Sequence, residues 1–305
     1  MKSFRYLISK KMNYCNYMRI ISALRVEQWI KNCLIFMPYF LVGTYNQNNL
    51  LQLIKIFFGF SLIVSSTYIV NDLKDIESDR NHPEKKHRAI ASGYLNKKYW
   101  VFISFILFLM GFLVIFITNS EVLIISGLYV CLTLSYSFKF KYIKFVDLFI
   151  ISILFVIRIL LGGITAKLDI SFYLLLFIFL KSLEIVSSKK LSILLNSNIG
   201  ASKVKIFLAN NYSKRGLLNL IYFASFSSLA TYLMWIYFVK IPEIENLQTF
   251  YLFIAFLFLA YFEYHFINQT NKGQTEDILK LMISKKSLTL IIFLFAIFTL
   301  LGIAK

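Results

Sequence analysis

Apolar residues in this chain come in long unbroken runs rather than at every second position or along one helical face. Nine runs stand out, at 32–45, 51–70, 100–118, 121–137, 145–162, 171–188, 217–239, 249–267 and 287–304. A membrane core about 30 Å thick takes about 20 helical residues, and most of these runs approach that length. Segments that are apolar on every side have no water-facing surface, and in lipid a helix satisfies its own backbone hydrogen bonds. The pattern therefore predicts an all-α polytopic membrane protein with nine transmembrane helices. The first run is short. Only Asn119, Ser120 and Glu121 divide the third run from the fourth, so the boundary between them is the least sharply defined. With three prolines in the chain and no Pro/Gly/Ser-rich linker, residues 1–305 read as one domain.

Composition agrees with the pattern. Hydrophobic residues make up 58% of the 305 positions, charged residues 16%, and mean hydropathy is +0.69. Such a chain cannot be a water-soluble domain. The formal net charge of +18 would ordinarily suggest nucleic acid, but its placement excludes that partner. Most of the 33 lysines and arginines fall in 1–31, 71–99, 138–144, 189–215 and 272–286, which all lie on one side of a nine-span chain. The opposite connections carry few, with Lys167, Lys240 and Lys305 as exceptions. By the positive-inside rule the N-terminus and the 71–99 loop are expected in the cytoplasm and the C-terminus outside, in the cytoplasmic (inner) membrane of a bacterium. The basic side is also expected to attract anionic membrane lipids. Residues 1–31 are basic and amphipathic, without a small-residue cleavage site after an apolar core, and read as an interfacial segment. Cys15, Cys33 and Cys131 are isolated, which supports neither a disulfide framework nor a thiolate zinc site; they read as small apolar filler. Nothing in the sequence fixes an oligomeric state.

The richest chemistry lies in NDLKDIESDRNHPEKKHRAIASG, residues 71–93. Asn71, Asp75 and Asp79 recur every fourth residue, so in a helix they stack on one face about 6 Å apart. Mg²⁺ typically takes one or two protein carboxylates and fills its remaining positions with water and substrate phosphate oxygens. His82, Lys85, Lys86 and Arg88 follow closely and supply phosphate donors. A solvated loop beside a membrane span is the plain alternative. Against it, Asp72 and Asp75 follow directly on the apolar run from Ile54 to Val70, where a charge is costly unless it faces a cavity or the bundle interior. Glu77 and Glu84 lie off this face and read as ordinary solvated charges.

Other polar groups enter the spans. Tyr136, Lys139, Lys141 and Lys144 lead to Asp147, which suits either a helix cap or a cavity. Arg158 lies eleven residues further, about 16 Å along the axis, too far to pair with Asp147. It either snorkels to the far interface or points inward. Lys181 and Glu184 form an i, i+3 pair inside the sixth run, either purely structural or with the lysine facing substrate. Tyr212, Lys214 and Arg215 read as interfacial anchors, and His265 as a packed or interfacial histidine.

These residues resemble a known family. N-D-x-x-D-x-x-x-D at 71–79 is similar to the first signature of the UbiA superfamily of intramembrane prenyltransferases. The whole 71–93 segment resembles the corresponding one of the polyprenyl-phosphate phosphoribosyltransferases, with Ala89 in place of a proline. LRVEQWIKN at 24–32 looks like that branch's L-R-P-x-Q-W-x-K-N, with Val26 for proline. SYSFKFKYIKFVDLFIISILFVIRILLGG resembles its Y-S-x-x-L-K…D…R…G segment, and KSLE its K-R-x-x-E, with Ser182 for arginine; QTEDILK at 274–280 adds weaker support. The resemblance implies a helical bundle that binds Mg²⁺-diphosphate in a central cavity, with Asn71, Asp75 and Asp79 as metal ligands. It also implies a polyprenyl lipid substrate and a diphosphate donor, with Asp72, Tyr136, Lys141, Asp147, Arg158, Lys181 and Glu184 as further site residues. Lys181 is the candidate for the 5-phosphate of a phosphoribosyl donor. Asp147 is followed by Ile151 where the aromatic prenyltransferases of this superfamily carry a second carboxylate. That departure counts against an aromatic prenyltransferase, which is the first rival reading. A non-enzymatic transporter is the second, and it should line a path through both halves of the membrane.

Overall fold

The computed structural model describes residues 21–42, 45–81, 85–196 and 203–304. Residues 1–20 of the expected interfacial segment, with Cys15, lie outside the described residues, as does His82. Among the described residues the chain is helical, without strands. A 3₁₀ stretch, Val26–Phe36, is followed by α1 (Met37–Val42), α2 (Gln47–Lys74), α3 (Ile76–Arg80), α4 (Lys97–Thr118), α5 (Leu123–Phe138) and α6 (Val146–Ala166). Then come α7 (Phe172–Leu195), α8 (Lys203–Asn211), α9 (Lys214–Trp235), α10 (Asn246–Asn271), α11 (Ile278–Ser284) and α12 (Lys286–Ile303).

Among the described residues six helices are long and apolar enough to cross a membrane: α2, α4, α6, α9 with its continuation to Lys240, α10 and α12. They account for six of the nine expected spans. The run 32–45 divides between the 3₁₀ stretch and the six-residue α1, where Pro38 fits the first turn because its missing N–H has no partner there in any case. The run 121–137 is the 16-residue α5, and 171–188 lies in α7, whose 24 residues carry Lys181, Glu184, Lys189 and Lys190. A short turn, Ser120–Val122, joins α4 to α5. The Asn119 side chain accepts from the Glu121 N–H at 2.9 Å and its own N–H donates to Ile115 O at 2.8 Å, ending one helix and starting the next turn.

The chain divides into two compact units. The first holds the described residues up to Cys33 and Leu51–Ser137. Here Gly59 of α2 and Gly111 of α4 allow close approach, since a Cβ on Gly111 would lie 2.6 Å from Gly59 O and from Ile63 Cγ1. Only 17% of the most apolar stretch of α4 is buried. Its exposed Val101, Phe102, Phe105, Leu109, Leu113 and Phe116 suit contact with lipid. The second unit holds Leu34–Leu50 and Phe138–Lys305. In it α7 packs along α6 and α9, and α10 along α12. One apolar core there gathers Ile159, Phe177, Tyr232, Trp235, Leu252 and Leu259, another Leu148, Leu183, Leu191, Tyr212 and Ile221.

Candidate functional site

Asp75 breaks the helix between α2 and α3, with φ −91° and ψ 10°, yet the backbone ladder continues through it. Asp75 N–H donates to Asn71 O at 3.0 Å and Asp79 N–H to Asp75 O at 2.8 Å. Asn71, Asp75 and Asp79 therefore sit one turn apart in sequence along one helical path, as the spacing predicts. Asn71 and Asp75 are half-buried, while Asp72 and Asp79 are buried. Two arginines neutralise the buried pair. Arg88 Nη1 donates to Asp79 Oδ2 at 2.8 Å and reaches Asp72 Oδ1 at 3.4 Å, and Arg25 Nη2 donates to Asp72 Oδ1 at 2.5 Å. The result is an alternating chain, Arg25–Asp72–Arg88–Asp79. The loop that carries Arg88 is tied back by Arg80, whose Nε donates to Ala91 O at 2.9 Å.

A polar stripe on α2 places Arg25. Ser61, Ser65, Tyr68 and Asp72 are spaced four, three and four residues apart and so share a helix face. Asn32 Nδ2 donates to Ser61 Oγ and Trp29 Nε1 to Ser65 Oγ, both at 3.0 Å, and Ser65 Oγ donates to Leu24 O at 2.7 Å. The Arg25 guanidinium stacks 4.8 Å from the centre of the Tyr68 ring. Arg25 itself has φ +50°, uncommon for a residue with a side chain, so these contacts hold a strained backbone. Beside it opens a cavity of about 360 Å³ lined in part by Ser22, Arg25, Gln28, Asp72, His87 and Arg88. Lys85 and Lys86 lie on the short turn Lys85–His87, the former half-buried and the latter exposed.

Among the described residues no three His, Cys, Asp or Glu side chains cluster as a self-sufficient metal site. Mg²⁺ does not need one, because it is commonly held by one or two carboxylates and completed by substrate phosphate and water. The hard oxygens of Asn71, Asp75 and Asp79 fit that mode.

The second unit holds two further clusters. Lys181 donates to Glu184 Oε2 at 2.5 Å and also to Glu263 of α10, whose other oxygen accepts from Ser225 Oγ of α9 at 2.9 Å. The expected pair is thus a triad, and a donor phosphate at the Lys181 ammonium would compete with two carboxylates. Asp147 accepts from Lys190, from Tyr212 OH at 2.7 Å and from its neighbour Leu148 N–H at 2.8 Å; the N-cap position falls at Phe145, so Asp147 belongs to a buried cluster instead. Tyr212 is 5% exposed and also accepts from the Phe145 N–H at 2.6 Å, which corrects the interfacial-anchor reading. Arg158 is buried and donates to Leu154 O at 2.5 Å, so it does not snorkel to the far interface. Tyr136 lies half-buried in α5 of the first unit, whereas the Lys141 ammonium lies over the Tyr142 ring in the second. His265 packs edge-on against Tyr261 and Tyr264. Cys33 and Cys131 are exposed rather than core filler.

Four residues of these clusters escaped the sequence reading as partners: Arg25, Lys190, Tyr212 and Glu263. Arg25 stood inside LRVEQWIKN, and Glu263 was a lone carboxylate inside an apolar run, which itself calls for a buried cation. Lys190 and Tyr212 gave no such signal.

The model of the UbiA prenyltransferase family matches residues 33–285. The decaprenyl-phosphate phosphoribosyltransferase of Corynebacterium glutamicum is 30% identical over 222 residues, 71% of this chain and 66% of that one. An uncharacterized protein of Sinorhizobium fredii is 36% identical over 158 residues, 52% of this chain and 31% of that one. The chain thus spans less than two thirds of the length of these relatives. In fold, it is similar to a UbiA homologue from Archaeoglobus fulgidus bound to DMAPP and Mg²⁺, with TM-score 0.68 and 12% identity over 95% of this chain and 98% of that one.

Proposed function

Since the chain belongs to the UbiA prenyltransferase family, we propose that it is a membrane transferase that moves phosphoribose from phosphoribosyl diphosphate to a polyprenyl phosphate, releasing diphosphate. The observation that carries this reading is the Arg25–Asp72–Arg88–Asp79 ion chain on the Asp-rich turn, beside a polar cavity of about 360 Å³. The motif matches from residue 24 to 184 and the similarity to the Corynebacterium phosphoribosyltransferase favour the ribosyl donor over an allylic one.

In this mechanism a phosphate oxygen of the lipid attacks C1 of the ribose, the C1–O bond to diphosphate breaks, and diphosphate leaves with the bonding pair. The attacking oxygen is already an anion, so no side chain has to remove a proton. Asn71, Asp75 and Asp79 would hold Mg²⁺, which when bound neutralises charge developing on the leaving diphosphate. Lys85, Lys86 and Arg88 contribute phosphate contacts and hold C1 in line with the incoming oxygen. His82 is assigned to the same cluster from its place in the motif. α5 and α7, with the segment at 32–45, complete nine crossings in our reading, with the Asp-rich turn on the cytoplasmic side of a bacterial inner membrane.

Membranes from cells expressing the chain, given phosphoribosyl diphosphate, should form a polyprenyl-phosphoribose lipid detectable by mass spectrometry. Asp75→Asn should abolish that product while the protein still elutes as a folded species, and excess EDTA should do the same to the wild type. Prenylation of an aromatic acceptor, with phosphoribosyl diphosphate ignored, would overturn the reading; full activity in EDTA would overturn the metal assignment.

A further inference from the structure

The buried carboxylates at the Asp-rich turn are neutralised by the protein itself. Asp72 and Asp79 are each 4% exposed, and a carboxylate so buried is costly without a counter-ion. Arg25 and Arg88 provide the two cations. The same balance opposes a further one: a divalent ion on Asp79 with Arg88 still in place would set two positive centres a few ångströms apart in poorly hydrated surroundings.

Of the two arginines, Arg88 is the one able to yield. Both line the cavity beside the turn, but the Arg88 side chain is 34% exposed against 17% for Arg25. Arg25 is clamped between Asp72 and the Tyr68 ring. Building on the diphosphate donor proposed above, we propose that Arg88 is an exchangeable counter-ion of Asp79. It leaves the carboxylate for the donor's diphosphate as a divalent cation takes its place, so cation and diphosphate enter the site as a pair. Charge supports the pairing, because a divalent cation alone adds positive charge beside carboxylates already neutralised, whereas the cation with a diphosphate does not. Arg88 is in this sense a positioning residue that couples two binding events.

Equilibrium uptake of Mn²⁺ and of inorganic diphosphate, each alone and together, by the full chain in detergent tests this without turnover. The wild type should take up little of either alone and the two together in equal amounts. Arg88→Gln should bind Mn²⁺ alone about tenfold more tightly, the effect of removing one charged hydrogen bond, and gain less from added diphosphate. Arg88→Lys keeps a cation near Asp79 and should behave like the wild type. Asp79→Asn should lose Mn²⁺ uptake in either setting. Wild-type Mn²⁺ affinity that is equally tight without diphosphate would overturn the proposal, as would an unchanged Mn²⁺ affinity in a folded Arg88→Gln; the first result decides even if that variant fails to fold. A wrong ribosyl donor would show differently: paired uptake would persist while transfer from phosphoribosyl diphosphate gave no product.

Discussion

Replacing Lys181 by methionine would leave Glu184 and Glu263 facing each other without their cation, in a place where Glu184 is 0% and Glu263 2% exposed. Breaking a buried ion pair by removing one partner typically costs about 3–5 kcal/mol, far more than an exposed pair contributes. Lys181→Met should therefore lower the thermal midpoint of the detergent-solubilised protein sharply. Neutralising the carboxylates as well, in Lys181→Met/Glu184→Gln/Glu263→Gln, should recover much of the loss. A single variant as stable as the wild type would contradict the triad. Any fall in transfer activity should then be shared by all donors, because it arises in the scaffold. A lysine that bound the 5-phosphate would instead discriminate between donors with and without that group, so the two assays together separate the roles.

At the scale of elements, close approach is set by glycines rather than by large apolar side chains, as expected where lipid offers no hydrophobic drive for helices to associate. Gly162 of α6 is the tightest case, since a Cβ there would lie 1.9 Å from Ile35 O and 2.8 Å from Ile35 C. Backbone cannot step aside as a side chain can. Gly162→Ala should destabilise the second unit by about 1–3 kcal/mol, in the range of overpacked cores. Gly127→Ala, in α5 with nothing within 4 Å of the new Cβ, should be neutral or stabilise by about 0.5–1 kcal/mol. Thermal unfolding of the two variants side by side checks the contrast, and equal effects would refute it. The long apolar helices were legible from the chain because the signal, run length, is local, as is the four-residue repeat of Asn71, Asp75 and Asp79. The Lys181–Glu184 pair was legible for the same reason. Glu263 was not, because it comes from another helix and periodicity does not say which helices adjoin. Arg25 reached Asp72 through side chains of two separate segments, and only a motif pointed to it. Tyr212 read as an anchor because a tyrosine beside Lys214 and Arg215 looks the same whether its hydroxyl meets water or Asp147.

For the molecule as a whole, burial and charge bear on which side of the membrane the proposed site faces. The exposed apolar faces, as on α4, need lipid around them. The basic segments need one aqueous side, and the Asp-rich turn belongs to the most charged of them. If that side is the cytoplasm, a single cysteine at Lys86, which is exposed on the turn before Arg88, should react with an impermeant maleimide only after cells are lysed. A cysteine at Asn46, exposed just before α2, should react in intact cells, because α2 is long enough to carry the chain from one face to the other. The background must lack Cys15, Cys33 and Cys131, so that the introduced thiol alone can react. Labelling of the Lys86 position from outside would invert the orientation and cut the site off from a cytoplasmic supply of phosphoribosyl diphosphate. Labelling of both positions from the same side would mean that α2 does not cross, and the topology itself would have to be redrawn.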